Sequence, residues 1–209
     1  MSGKPHLATD GRILRGEATR RRIVDAAREI LLERGHAVAS TRAVADEAGV
    51  PLSLVHYHFG GKQGLLVAVL ERENSELLER QRALYAAPGP LAEKWRTACD
   101  LLDEDINSGF VRVLWELWAA GLADEELKAG WRDALGGWRD LLVSVFEEWG
   151  RPLSADLPLS PRATATLVAD LFNGIEVELL AGVTPEDAPH REVLDAFGDM
   201  IERAEREDR

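Results

Sequence analysis

Between Thr41 and Lys62 the chain reads TRAVADEAGVPLSLVHYHFGGK. This short stretch concentrates side chains that can donate, accept, stack or carry charge: Thr41, Arg42, Ser53, His56, Tyr57, His58 and Lys62. Two histidines around a tyrosine invite a metal or acid–base reading. Positions two apart on a helix do not share a face, so His56 and His58 do not converge on one ion or one proton. An outward face of Leu52, Ser53, His56, Tyr57 and His58 suits a different chemistry, contact with the base edges and phosphates of DNA.

The elements that must hold these groups are legible from spacing. Ser40 or Thr41 can cap a helix whose inner face is Val44, Ala45 and Ala48. Gly49 permits a turn conformation closed to other residues, and Val50 plugs the space between the helices. Pro51 suits a first helical turn, where its missing N–H has no partner to lose; Val55 and Phe59, four apart, face inward. An earlier helix over 17–34 carries Ile23, Val24, Ala27, Ile30 and Leu31 as one apolar stripe, with Arg20, Arg21, Arg22 and Arg28 outside it. Gly35 closes it. Residues 1–16, polar and glycine-punctuated with Lys4, Arg12 and Arg15, read as a flexible basic arm.

The run T-R-x-V-A-x-E-A-G-V-P-x-x-x-V-H-Y-H-F-x-x-K-x-x-L-L resembles the DNA-binding signature of the TetR family of transcriptional regulators, matched from about Glu17 to Leu66. It departs from the usual pattern twice, with Pro51 at a position usually Ser and His56 at one usually Tyr. The resemblance implies that Arg42, Leu52, Ser53 and Tyr57 contact bases, and that Thr41, His56, His58 and Lys62 contact phosphates. These roles are chemically apt: Arg42 can pair bidentately with guanine, Leu52 can pack on a thymine methyl, and Ser53 can donate or accept. Lys62 at a helix N-terminus favours a phosphate.

The rest of the chain reads as helices over 62–86, 91–107, 110–121, 124–149, 161–182 and 190–206, bordered by Gly, Pro, Asn and Ser. The nine prolines fall almost entirely at borders, and no alternating strand pattern occurs. The expected fold is all-α with about nine helices: a helix-turn-helix domain over 1–62 with its N-terminal arm, and a ligand-binding and dimerisation domain over 63–209. Charge divides similarly. Residues 1–65 hold ten Lys/Arg against seven Asp/Glu, whereas 66–209 hold 15 against 30, a basic head on an acidic body.

The second domain is similar to the C-terminal domains of the betaine-inhibitor-like branch, around Trp115/Trp118 and FNGIEVELLAG. In such proteins an effector bound in the body pivots the long helix from Lys62. Pocket candidates are Trp95, Cys99, Trp115, Trp118, Trp138, Phe146, Phe172, Asn173 and Glu176, with a cationic ligand where a carboxylate meets an aromatic wall. The resemblance implies a homodimer through the last two helices, where Leu167, Leu171, Gly174, Leu180, Leu194 and Phe197 offer apolar area. The expected partners are an operator in double-stranded DNA, a second copy and an unidentified small-molecule effector.

Other classes find less support. The lone Cys99 forms no internal disulfide, and no Cys/His spacing resembles a zinc site, so neither metal nor cofactor is expected. No apolar stretch approaches the roughly 18 residues of a membrane span, and no leader-like apolar region opens the chain, so a cytoplasmic protein is expected. An enzyme would need a nucleophile elbow, phosphate loop or HExxH, none of which occurs. A helical small-molecule-binding or enzymatic protein without operator function is the alternative.

Overall fold

The computed structural model describes residues 6–151 and 158–207, with side chains from Leu14 onward. Among the described residues the chain is all-α, with nine helices and no strand. They are α1 (His6–Arg34), α2 (Thr41–Ala48), α3 (Leu52–Phe59), α4 (Lys62–Ala86), α5 (Leu91–Asn107), α6 (Phe110–Gly121), α7 (Glu125–Trp149), α8 (Pro161–Leu180) and α9 (His190–Arg206).

One expected boundary moves by a long way. Helix α1 begins at His6 and not Glu17, so most of the expected flexible arm is helical; residues 1–5 lie outside the described part. No proline interrupts 6–34. Once the stretch from Glu17 has nucleated, each added residue gains a hydrogen bond for one residue fixed, and Gly11 and Gly16 cost only about 1 kcal/mol each. Helix α7 starts one residue late because Asp124 stands before it as its cap, its Oδ1 accepting the Leu127 N–H at 2.8 Å.

Packing divides the chain into two compact units. The first comprises Met1–Arg72 with Glu116–Gly130, the second Glu73–Trp115 with Trp131–Arg209. This differs from the functional boundary expected after Lys62: α4, α6 and α7 each run unbroken through the division. In the first unit Ile23, Val24, Ala27, Ile30 and Leu31 of α1 are all at most 2% exposed. Val44, Ala45 and Ala48 of α2, Val55 of α3 and Leu65, Leu66, Val69 and Leu70 of α4 are buried as well, with α1 packed against α2 and α2 against α3.

The second unit is built on α5, α8 and α9. Its core joins Trp95, Cys99, Leu102, Leu142, Phe146, Val168, Phe172, Leu194, Phe197 and Ile201. Trp95 is the centre: its ring stacks on Phe197 at 4.5 Å, meets Phe172 edge-on at 5.6 Å, and its Nε1–H donates to Leu194 O at 2.8 Å. Gly198 is required here, since a Cβ would come within 2.9 Å of the Trp95 ring.

Candidate nucleic-acid interface and interior polar site

Two short helices present the candidate interface. Ser40 is the cap, its Oγ accepting the Ala43 N–H at 3.1 Å, so Thr41 takes the first helical position. Gly49 adopts φ +61° and closes α2, and buried Val50 fills the corner. Pro51 precedes α3 with no side-chain cap, the local consequence of a proline where a serine hydroxyl would serve. Gly64 lets α4 start hard against α3: a Cβ there would fall 2.2 Å from Phe59 O.

Val55, fully buried, anchors α3 and turns its other face outward. Tyr57 is 81% exposed, Arg42, Ser53 and His56 are exposed, and Thr41, Leu52 and His58 are half-buried. Tyr57 and His58 meet edge-to-face at 5.0 Å. Phe59 is half-buried beneath the Arg20 guanidinium, 5.2 Å from its ring centroid. The expected base and phosphate contacts therefore all keep exposed or half-buried side chains, Lys62 among them. Its Nζ donates to His36 O at 2.7 Å, which ties this ammonium to the turn between α1 and α2.

The pocket candidates do not form one group. Trp95, Cys99, Phe146 and Phe172 belong to the packed core, with Trp138 against it. Burial pushes the Cys99 thiol up to about 12, leaving it unreactive. In this structure their surfaces are spent on one another. Trp118 is 40% exposed and falls in the first unit. Trp115 and Glu176 come together, the Trp115 Nε1–H donating to Glu176 Oε2 at 3.1 Å, while Asn173 is half-buried one turn earlier on α8.

Glu176 belongs to a polar cluster inside the second unit. Burial pushes its carboxyl up to about 7, opposed by the Trp115 hydrogen bond and assisted by the nearby negative charge of Asp105. Asp105 is itself gripped by Arg80 through two hydrogen bonds of 2.7 and 2.9 Å. The Trp131 ring lies 6.5 Å from that of Trp115. Its Nε1–H is without a hydrogen-bond partner among the described residues. Sequence reasoning missed Arg80, Asp105 and Trp131. The signal for Asp105 was its place on the apolar stripe of α5, where it follows Ala98 and Leu102.

The residues expected at a dimer surface differ in exposure. On α8, Leu167 and Leu180 are 43% and 40% exposed and Leu171 is half-buried, while Gly174 has open space where a Cβ would stand. On α9, Leu194 and Phe197 point into the chain's own core at 3% and 8% exposure and are removed from that surface. The apolar residue α9 turns outward is Val193, 47% exposed.

Among the described residues no three His, Cys, Asp or Glu gather as a metal site, and no helix is long and apolar enough to cross a membrane.

Comparison with known proteins places the head. Residues 23–69 match the model of bacterial regulatory proteins of the tetR family. Over 54 residues the chain is 44% identical to the HTH-type transcriptional regulator SrpR of Pseudomonas putida, covering 26% of this chain and 25% of that protein. The match thus spans about a quarter of that relative. Solved structures extend the likeness over the fold. The multidrug binding protein EbrR complexed with ethidium is 29% identical with a TM-score of 0.66, covering 86% of this chain and 98% of that one. A transcriptional regulator from Rhodococcus sp. Rha1, 22% identical, superposes with a TM-score of 0.71 over 88% of this chain and 96% of its own, which concerns the fold alone. The signature on α2 and α3 thus lies in a head that matches the tetR family of bacterial regulatory proteins over residues 23–69, and the all-helical fold is similar to that of EbrR over most of both chains.

Proposed function

We propose that this protein is a ligand-responsive, DNA-binding transcriptional regulator, a repressor acting in the cytoplasm as a homodimer on a palindromic operator. The observation that carries the reading is the outward face of α3, with Tyr57, Ser53 and His56 exposed around a fully buried Val55. In a helix-turn-helix the second helix enters the major groove with its N-terminal residues at the base edges. Leu52 and Ser53 occupy that end, Tyr57 lies one turn on, and Arg42 on α2 reaches the same region. Thr41, His56 and His58 flank these groups as phosphate contacts, and Lys62 joins them with the donors left after its bond to His36.

One such head reads few base pairs. Two heads related by a twofold axis read half-sites about 34–36 Å apart, or a multiple of that. The outward side of α8, with Leu167, Leu171, Gly174 and Leu180, together with Val193 of α9, supplies the self-complementary surface.

The effector site is the cluster around Glu176, Trp115 and Trp131. A carboxylate beside indole rings favours an organic cation through charge pairing and cation–π contact, and EbrR, a neighbour of comparable fold, is known in complex with ethidium. Binding one conformation better than another suffices to shift the DNA affinity.

Titrating the protein against DNA from upstream of its own gene at several salt concentrations tests the regulator reading. Specific binding that weakens steeply with salt is expected. Sequence-independent binding at every salt concentration, or no binding, would overturn it.

A further inference from the structure

A cavity of about 370 Å³ lies entirely within the first compact unit, and none of its lining residues belongs to the Glu176 cluster. Its volume is that of a small-molecule site. Leu66 of α4 and Leu127 of α7, 4% and 1% exposed, give it an apolar floor. Ala119 and Ala120 at the end of α6 and Ala123 in the turn after it also line the space, and their short side chains leave it open.

The polar part of the wall is His36, Lys62, Gln63 and Asp124, and three of these are held in place by the protein itself. The His36 backbone N–H donates to Glu116 Oε2 at 2.9 Å, and its ring Nδ1 lies 2.7 Å from the same oxygen. Asp124 caps α7, its Oδ1 accepting the Leu127 N–H at 2.8 Å, where the helix dipole favours its negative charge. Lys62 Nζ donates to His36 O at 2.7 Å. That bond orients the ammonium without neutralising it, since its acceptor is an uncharged carbonyl. Among the described residues Lys62 has no carboxylate partner. The wall thus offers a cation with no counter-charge, a neutral amide on Gln63 that can donate beside it, and an apolar floor. A carboxylate fits the two N–H donors that Lys62 has left, and an apolar tail fits Leu66 and Leu127.

We propose that this cavity in the head binds a small monocarboxylate with an apolar tail, held by Lys62, and that the bound carboxylate takes this ammonium away from a DNA phosphate. The competition with DNA rests on the regulator reading above; carboxylate binding is measurable without DNA.

Isothermal titration of the full chain with hexanoate is the test, with hexanol, hexylammonium and acetate as companions. Hexanoate should bind about tenfold or more tightly than hexanol, which lacks the charge, and than acetate, which lacks the tail. Lys62→Gln should weaken hexanoate about tenfold or more. Ala120→Leu fills the space and should do the same; Ala123→Leu, at an exposed position, covers the case in which the first variant folds poorly. Hexanol or hexylammonium binding as tightly as hexanoate would overturn the charge assignment. No hexanoate binding, or an affinity unchanged by Lys62→Gln or by the folded leucine variants, would overturn the site. Saturating hexanoate should also flatten the salt dependence of DNA binding by about one unit, and an unchanged slope would overturn the competition. A chain that bound hexanoate here and ignored its upstream DNA would refute the regulator reading and leave the carboxylate site standing.

Discussion

The outward face of α2 and α3 and the body use charge in opposite ways. On the head, Arg42, Ser53, His56 and Tyr57 are exposed and make no ion pair among the described residues. In the body, charges are spent on one another: Arg191 meets Asp100, Asp103 and Asp195, Arg96 meets Glu202, and Arg80 holds Asp105. The aromatic groups divide the same way. Tyr57 stands in solvent, whereas Trp95 is 3% exposed at the centre of a core. A surface meant to recognise a partner keeps its valences open; a scaffold closes them.

Substitutions in the two regions should therefore fail differently. The largest effect belongs to the body. Trp95→Ala removes a buried indole stacked on Phe197 and bonded to Leu194 O and should cost about 3–5 kcal/mol, read by chemical denaturation. A loss below about 1 kcal/mol would mean that Trp95 is not the packing centre. In the head, Arg42→Ala or Tyr57→Ala should leave stability within about 0.5 kcal/mol yet lower operator discrimination by roughly 1–3 kcal/mol per lost base contact. Competition binding with single base-pair variants measures this, and unchanged discrimination would remove the residue from the base readers.

The same contrast governs what was legible in the sequence. The head was readable because its structure is local: the Ser40 cap, the Gly49 turn and the Val44, Ala45, Ala48 and Val55 inner faces are fixed by neighbours within a few residues. Helix borders in the body were readable for the same reason. The roles of body side chains were not, because they depend on contacts far apart in the chain. Helical periodicity marks Leu194 and Phe197 as apolar but does not say whether the partner is Trp95 of the same chain or a second copy. Likewise Trp95 and Trp115 are alike in sequence, and only packing separates a core indole from one that bonds a carboxylate. Glu116 and His36 lie 80 residues apart, and nothing local links them.

Acidity offers a further separation between interior and surface. Glu176 binds its proton more tightly in the folded chain, up to about 7 against an ordinary 4.5. Between these values the unfolded chain loses the proton first, so the folded state is favoured less as pH rises through that window, and the change levels off above about 7. Glu176→Gln mimics the neutral acid and should flatten this slope, recovering on the order of 1–2 kcal/mol at pH 8 relative to pH 5. Denaturation at the two pH values checks it, and an undiminished slope would place the titration elsewhere. A cationic probe that needs the ionised carboxylate should bind more tightly as pH rises through about 7.

The smallest expected effect tests where head and scaffold behaviour overlap. Lys62 carries three N–H donors, one of which is given to His36 O; the others remain for a phosphate beside the N-terminus of α4. Lys62→Ala should then do two things at once: lower stability by about 1 kcal/mol through the lost hydrogen bond, and weaken binding to all DNA sequences alike, flattening the salt dependence by about one unit. Salt titrations of the variant separate the roles. A loss of stability with an unchanged salt slope would make Lys62 a strut of the α1–α2 turn and move it from the recognition surface to the scaffold.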